Sequence, residues 1–188
     1  MQQLQLREKE IFETLKRIKN HVFVLIGGYA VNAYSLPRFS VDCDLVVENK
    51  DSAGKIANEL EKIGYAKADD TYGNFLKYEK TIIKNFKVTV DFLIGSVYDR
   101  KSQAVFSAEW AFRNSELRTL KGKTMPEQLK LRIVNPDALV TMKLVSSRST
   151  DIRDVFMLMP QIKDVGWIRK ETSERCNFKS RFSAIKDK

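Results

Sequence analysis

The sequence predicts a mixed α/β (α+β) fold, with helices flanking a mixed β-sheet and more helices toward the C-terminal end. Three observations carry that expectation. Helix-period and strand-like stretches alternate from the start of the chain. The apolar run Val22-Phe23-Val24-Leu25-Ile26 shows no polar alternation and stops at Gly27-Gly28, as a strand covered on both faces does. Two extended runs, 75–79 and 86–94, flank the polar Lys84-Asn85, which suits a hairpin or adjacent strands.

Taken in order, Leu4, Ile11, Leu15 and Ile18 recur at helical spacing with Phe12 beside them, so 4–19 reads as an amphipathic helix. After the Gly27-Gly28 turn a short helix is expected over 29–34, followed past Pro37 by a strand over 41–48. A helix over 52–63 carries Ile56, Leu60 and Ile63 and ends at Gly64. Residues 96–125 have weak periodicity and are assigned loosely as helix plus connection, with 129–134 as a late edge strand. Asn135-Pro136 supplies an N-cap and a first-turn proline for a helix over 136–147, and a shorter helix over 151–158 stops before Pro160. From Arg169 onward basic residues alternate with Ser, Asn and Phe, a composition that fits a frayed tail better than a nucleic-acid-binding arm. The expected organisation is a catalytic core at 1–95, a mainly helical extension of the same domain at 96–165 and a basic tail at 166–188.

At 188 residues and 43% hydrophobic content the chain can bury one substantial core. No stretch reaches the roughly 18 apolar residues of a membrane span, and the N-terminus lacks a signal-peptide pattern. A cytoplasmic protein without membrane contact is expected. The two cysteines, Cys43 and Cys176, and the single His21 argue against a disulfide framework or a Cys/His zinc site. Any metal would therefore be held by carboxylates. The net charge of +9 suits polyanionic partners such as nucleic acid or nucleoside triphosphates, although it also serves solubility alone.

Residues two apart on a strand share a face, so Asp42 and Asp44 would project together while Val41, Cys43 and Leu45 point the other way. Two adjacent carboxylates repel unless a cation lies between them, and magnesium suits them because phosphates can complete its shell. Asp91 interrupts the apolar strand 88–93, where an uncompensated charge is expensive. If that strand neighbours 41–48, Asp91 is a third carboxylate. Three acids can hold two magnesium ions, or manganese in their place, one activating a hydroxyl and one gripping a triphosphate, which is the chemistry of nucleotidyl transfer. Gly27 and Gly28 would let backbone approach a phosphate closely.

Other side chains leave alternatives open. Arg38 and Ser40 suit phosphate contacts or plain solvation. Lys143 suits a triphosphate or a surface pair with Asp151 and Asp154, which lie three apart on one helix face. His21 reads as a surface residue at the start of a strand, and Cys43 as packing beneath the site. Tyr29, Tyr34, Tyr72 and Phe75 read as core or rim sooner than as base-stacking groups.

Gly27-Gly28, thirteen intervening residues, Asp42-Cys43-Asp44 and then Val90-Asp91-Phe92 together resemble the signature of the DNA polymerase β-like nucleotidyltransferase superfamily. Arg38-Phe39-Ser40 resembles the basic and hydroxyl residues found just before its first aspartate. The stretch 135–144, with Arg148 and Asp151-Ile152-Arg153-Asp154, is similar to the AbiEii-type toxins and related minimal nucleotidyltransferases, in which a helix lysine and an acidic pair accompany the triad. One departure is Thr150 before Asp151, where such relatives often carry lysine.

The resemblance spans about 22–158. It implies a nucleotidyltransferase fold, an NTP donor, catalytic and metal-holding roles for Asp42, Asp44 and Asp91, and phosphate contacts from Gly27, Gly28, Arg38, Ser40 and Lys143. It also implies an acceptor-side place for Asp151 and Asp154, an RNA (such as tRNA), protein or small-molecule acceptor, and a toxin with an antitoxin partner. The competing expectations are a non-catalytic nucleotide- or RNA-binding protein on the same fold, whose mark would be a missing triad acid, and a coincidental motif, whose mark would be Asp91 far from Asp42.

Overall fold

The computed structural model describes residues 2–69, 73–83, 86–177 and 179. Tyr72, Lys84, Asn85 and most of the chain beyond Asn177 lie outside the described residues. Nine strands, eight helices counting a 3-10 turn, and a mixed sheet flanked by helices account for the fold among the described residues.

The chain runs α1 (Gln2–Ile18), β1 (Val24–Ile26), α2 (Gly27–Val31), β2 (Asp42–Val47) and α3 (Lys50–Lys62). Then come β3 (Ala66–Lys67), β4 (Phe75–Ile83), β5 (Phe86–Ile94), β6 (Ser96–Tyr98), β7 (Val105–Ser107), α4 (Ala108–Arg113), β8 (Ser115–Lys121) and β9 (Gln128–Val134). The chain closes with α5 (Pro136–Ser146), α6 (Ser149–Leu158), a 3-10 turn (Met159–Gln161) and α7 (Val165–Ser173).

Seven strands form one sheet in the order β3-β4-β5-β2-β1-β9-β8. β2 pairs parallel with β5 and β1 parallel with β9, while the other neighbours are antiparallel. β1 is interior and its three residues are buried, which explains its unbroken apolar composition. In α1 the stripe holds from Ile11 to Ile18, whereas Leu4 is exposed. Glu8 is buried on the same helix because its carboxylate accepts from the backbone N–H groups of Lys123 and Thr124 at 2.6 and 2.8 Å.

Two stretches depart from the sequence expectation. Residues 96–125 hold more strand than helix: β6 and β7 form a separate hairpin, only the six-residue α4 is helical, and β8 follows. Short strands whose exposed side chains include Tyr98, Val105 and Leu117 give little periodic signal. β8 also pairs outside β9, so the strand expected at an edge is interior. Arg169, expected to open a tail, sits within α7, which begins where Asp137 accepts from the N–H groups of Lys163 and Asp164 at 2.9 and 3.1 Å. Trp167 of α7 stacks on Trp110 of α4 with centroids 6.0 Å apart.

α5 is capped as its sequence indicates: Asn135 Oδ1 accepts from Ala138 N at 2.9 Å and Pro136 occupies the first turn. Nearly every α5 side chain is buried, because α2, α6 and α7 all pack around it. The helix ends at Ser147 in the left-handed region (φ 48°), and this sharp stop lets α6 start two residues later.

Candidate active site

The site is built on the parallel pair β2–β5. Its register places Asp42 beside Thr89, Cys43 beside Val90 and Asp44 beside Asp91. Parallel register partners share a face, so Asp42, Asp44 and Asp91 lie together on one side. Cys43, fully buried, points to the other side with Leu45. Asp91 is thus not remote from Asp42, and the structural mark of the coincidental reading is missing.

The local bonding fits acids held near each other. Thr89 Oγ1 donates to Asp42 Oδ1 at 2.6 Å. Burial, reinforced by the Asp42 charge and opposed by Lys143 and Arg148, pushes the Asp44 carboxyl up to about 6. Burial, then the charges of Asp44, Asp91 and Asp42, push the Cys43 thiol up, so it is an inert packing group. Among the described residues no group of three or more His, Cys, Asp or Glu side chains converges tightly enough to form a ready-made metal cage. The acids share a face without closing around a point.

The two glycines are required by what sits over them. Gly27 has φ +67°, and a Cβ there would lie 1.9 Å from Asp44 Oδ2. A Cβ on Gly28 would lie 2.2 Å from Ser40 Oγ and 3.2 Å from Arg38 Nη2. Gly27-Gly28 thus makes room for the first-strand turn beneath three of the expected site residues. α2, which starts on these glycines, is only five residues long.

Arg38, expected to meet phosphate or solvent, is instead clasped by Asp154: Nε donates to Oδ1 at 2.8 Å and Nη2 to Oδ2 at 2.6 Å. Its Nη1 donates to the Phe39 carbonyl at 3.0 Å. Ser40 Oγ reaches the Asp42 carbonyl at 3.4 Å. Lys143 Nζ lies 2.7 Å from Asp151 Oδ1 and 2.9 Å from Asp154 Oδ2, so the Lys–Asp pair exists, but buried and not on the surface. Burial would raise the Asp151 carboxyl, yet the Lys143 charge and hydrogen bonds from Lys143, Ser146 and Arg148 N hold it below the ordinary range.

Lys143, Asp151, Gly27 and Asp44 line one cleft enclosing about 630 Å³ of empty space, part of it open to solvent. Ser146, Arg148 and the hairpin residues Tyr98 and Asp99 line it too. Of the three strand acids only Asp44 lines it, and Gly28, Arg38, Ser40 and Asp154 are not among its lining residues.

Several of these side chains had no signal in the sequence. Asn32, inside an apolar stretch, is buried and brackets the Arg38 backbone, with Nδ2 donating to Arg38 O at 2.8 Å and Oδ1 accepting from Arg38 N at 3.0 Å. Tyr98 and Asp99 belong to the hairpin that the periodicity did not reveal. Tyr29 is core and Tyr34, nearly buried, donates to Glu116 at 3.3 Å, so neither faces the cleft, while Tyr72 lies outside the described residues.

The family described as "Nucleotidyl transferase AbiEii toxin, Type IV TA system" matches residues 12–166. No curated protein sequence matches the chain. The antibiotic-resistance factor ANT(2'')-Ia in solution aligns with TM-score 0.63 at 14% identity, over 97% of this chain and 96% of its own. The lincosamide antibiotic adenylyltransferase LnuA, lincomycin-bound, aligns with TM-score 0.53 at 16% identity, over 83% and 96%. JHP933 from Helicobacter pylori aligns with TM-score 0.54 at 18% identity, over 100% and 75%. These likenesses establish the nucleotidyltransferase fold. With its acids in register on one face and the family matched over most of its length, the chain belongs to the AbiEii nucleotidyltransferase toxin family and is a nucleotidyltransferase.

Proposed function

We propose that the protein moves a nucleoside monophosphate from an NTP to an acceptor hydroxyl or phosphate, releasing pyrophosphate, with Asp42, Asp44 and Asp91 holding divalent metal. The observation that carries this reading is the register of β2 on β5, which makes Asp44 and Asp91 neighbours with Asp42 on the same face. The donor set fits a hard cation, because all three groups offer carboxylate oxygens and Asp44 is already strained toward protonation by burial and by Asp42. Bound there, one or two Mg2+ or Mn2+ ions would polarise the α-phosphate and offset the charge of the leaving pyrophosphate.

The chain's own groups do the rest. Lys143 spends two contacts on Asp151 and Asp154, and an ammonium has three donors, so one N–H is left for a phosphate oxygen. Arg148, largely exposed and lining the same cleft, adds a second positive group beside the triphosphate. Gly27 lets the nucleotide approach the backbone beside Asp44. Arg38 acts by position: clasped by Asp154 and bracketed by Asn32, it holds Ser40 over Gly28 and sets the path into Asp42. Asp151 and Asp154, nearly and fully buried, serve to orient the two cations.

The family description supports a role as a toxin in a toxin–antitoxin system, with an antitoxin partner. The acceptor is an RNA such as tRNA, a protein or a small molecule; ANT(2'')-Ia with adenylyl-2''-tobramycin is a neighbour whose product is a small molecule. We place the reaction in the cytoplasm, and among the described residues no helix is long and apolar enough to cross a membrane.

The test is transfer of label from each α-labelled NTP, with Mg2+, to total RNA, total protein and aminoglycoside and lincosamide panels, comparing wild type with Asp42→Ala/Asp44→Ala. Label in an acceptor with wild type alone supports the reading. Equal labelling by both proteins overturns it.

A further inference from the structure

The cleft beside Asp44 has two kinds of wall. On the acid-bearing face of β5 the next same-face residue after Asp91 is Leu93, whose register partner is Val46. The surface therefore turns apolar one rung, about 7 Å, beyond the acids. Farther along, Val97 and Tyr98 of the β6–β7 hairpin and Leu139 and Met142 of α5 continue that apolar wall. A ligand that fits such a cleft is charged at one end and apolar at the other.

We propose that the apolar end holds the base of the donor nucleotide, stacked by Tyr98, and that Asp99 selects bases carrying an amino group at purine C6 or pyrimidine C4, namely adenine and cytosine. This inference rests on the donor-site reading above.

Tyr98 is 51% exposed at the end of β6, so its ring is available as a platform. The hairpin that presents it is pinned through Phe106, which lines the same cleft. Phe106, cross-strand partner of Val97, packs against Trp110 at 4.7 Å between centroids and under the Arg175 guanidinium at 4.7 Å. Trp110 Nε1 donates to Glu171 of α7 at 2.8 Å, and Arg175 Nη1 reaches the same carboxylate at 2.9 Å. The wall is thus formed before any ligand arrives, which spares binding the cost of ordering it.

Asp99, next to Tyr98, is fixed by two hydrogen bonds to one oxygen: Ser102 N at 2.7 Å and Ser102 Oγ at 2.6 Å both reach Oδ2. Its Oδ1 keeps acceptor capacity and, as a carboxylate, offers no donor. The amino groups at C6 of adenine and C4 of cytosine can donate to it, whereas guanine and uracil present a carbonyl oxygen at the equivalent position and meet like partial charge.

Equilibrium binding of the four NTPs and of inorganic tripolyphosphate, each with Mg2+, separates the parts. Wild type is expected to bind ATP and CTP about tenfold more tightly than GTP and UTP. Tyr98→Ala is expected to weaken NTP binding about tenfold, the scale of one lost stacking partner, while leaving tripolyphosphate unchanged. Tyr98→Phe should bind like wild type. Asp99→Asn, which still accepts from Ser102 but adds a donor, should erase or reverse the discrimination against GTP and UTP. The inference is overturned if Tyr98→Ala weakens tripolyphosphate as much as NTP, or weakens neither, or if wild type binds GTP and UTP as tightly as ATP and CTP. Wild type binding neither tripolyphosphate nor any NTP would instead overturn the donor-site reading beneath it.

Discussion

Asp154 holds Arg38 by two parallel hydrogen bonds of 2.8 and 2.6 Å across 116 residues of sequence, and the same carboxylate lies 2.9 Å from Lys143 Nζ. One buried acid therefore sets two of the site's cations. Removing it leaves both partly uncompensated in a desolvated place. Asp154→Ala is expected to lower stability by about 3–5 kcal/mol, read as a fall in the urea midpoint at constant slope. A loss below about 1 kcal/mol, the scale of an exposed pair, would show that the clasp is not sustained in solution.

Gly27 combines a positive φ of 67° with a Cβ position 1.9 Å from Asp44 Oδ2. Gly27→Ala must displace that carboxylate or the turn, so transfer should fall by about a hundredfold with stability reduced by about 1–3 kcal/mol. Gly54→Ala is the control, since a Cβ there meets nothing within 4 Å. Equal activity in the two variants would refute the close approach.

Asp44 gives the fold an unusual response to pH. A carboxyl whose folded pKa lies above its unfolded value of about 3.9 favours the fold below that value. That contribution is lost as the pH rises through about 6. Metal-free Asp44→Asn should therefore be more stable than wild type at pH 7.5, by about 1–3 kcal/mol, and the difference should shrink toward pH 4. Added Mg2+ with NTP should raise the Tm of wild type and not of the variant. Asp44→Asn less stable than wild type at pH 7.5 would contradict the assignment.

Asp151 responds with the opposite sign. Held below the ordinary carboxylate range by Lys143, Ser146 and Arg148 N against the effect of burial, it supports the fold fully above about pH 4. Its contribution disappears as the pH falls through its lower folded value. Asp151→Asn should flatten the acid limb of a stability-against-pH curve, and an unchanged limb would count against the Lys143 pair.

Much of this was legible from the order of residues. Strand parity alone placed Asp42 and Asp44 together and Cys43 behind them, because a period of two admits no other arrangement. Asn135-Pro136 marked the start of α5 through local chemistry. What could not be read was anything set by distant pairing. Nothing near Arg38 announces Asp154, and nothing near Asn32 announces that its amide will bracket the Arg38 backbone. The β6–β7 hairpin escaped because three-residue strands with exposed side chains carry too little periodicity to separate from a loop. The acids were therefore readable, while the basic side of the site and the wall of the cleft waited on tertiary structure.

The same distance along the chain has a consequence for synthesis. All three aspartates are translated before Lys143, Asp151 and Asp154, which arrive with α5 and α6. A nascent chain folding from its N-terminus carries a cluster of acids with its two principal cations still unmade or unanchored. β1 likewise waits for β9 to cover its open side. In a family of toxins, this order of assembly withholds the assembled site until α6 has been made.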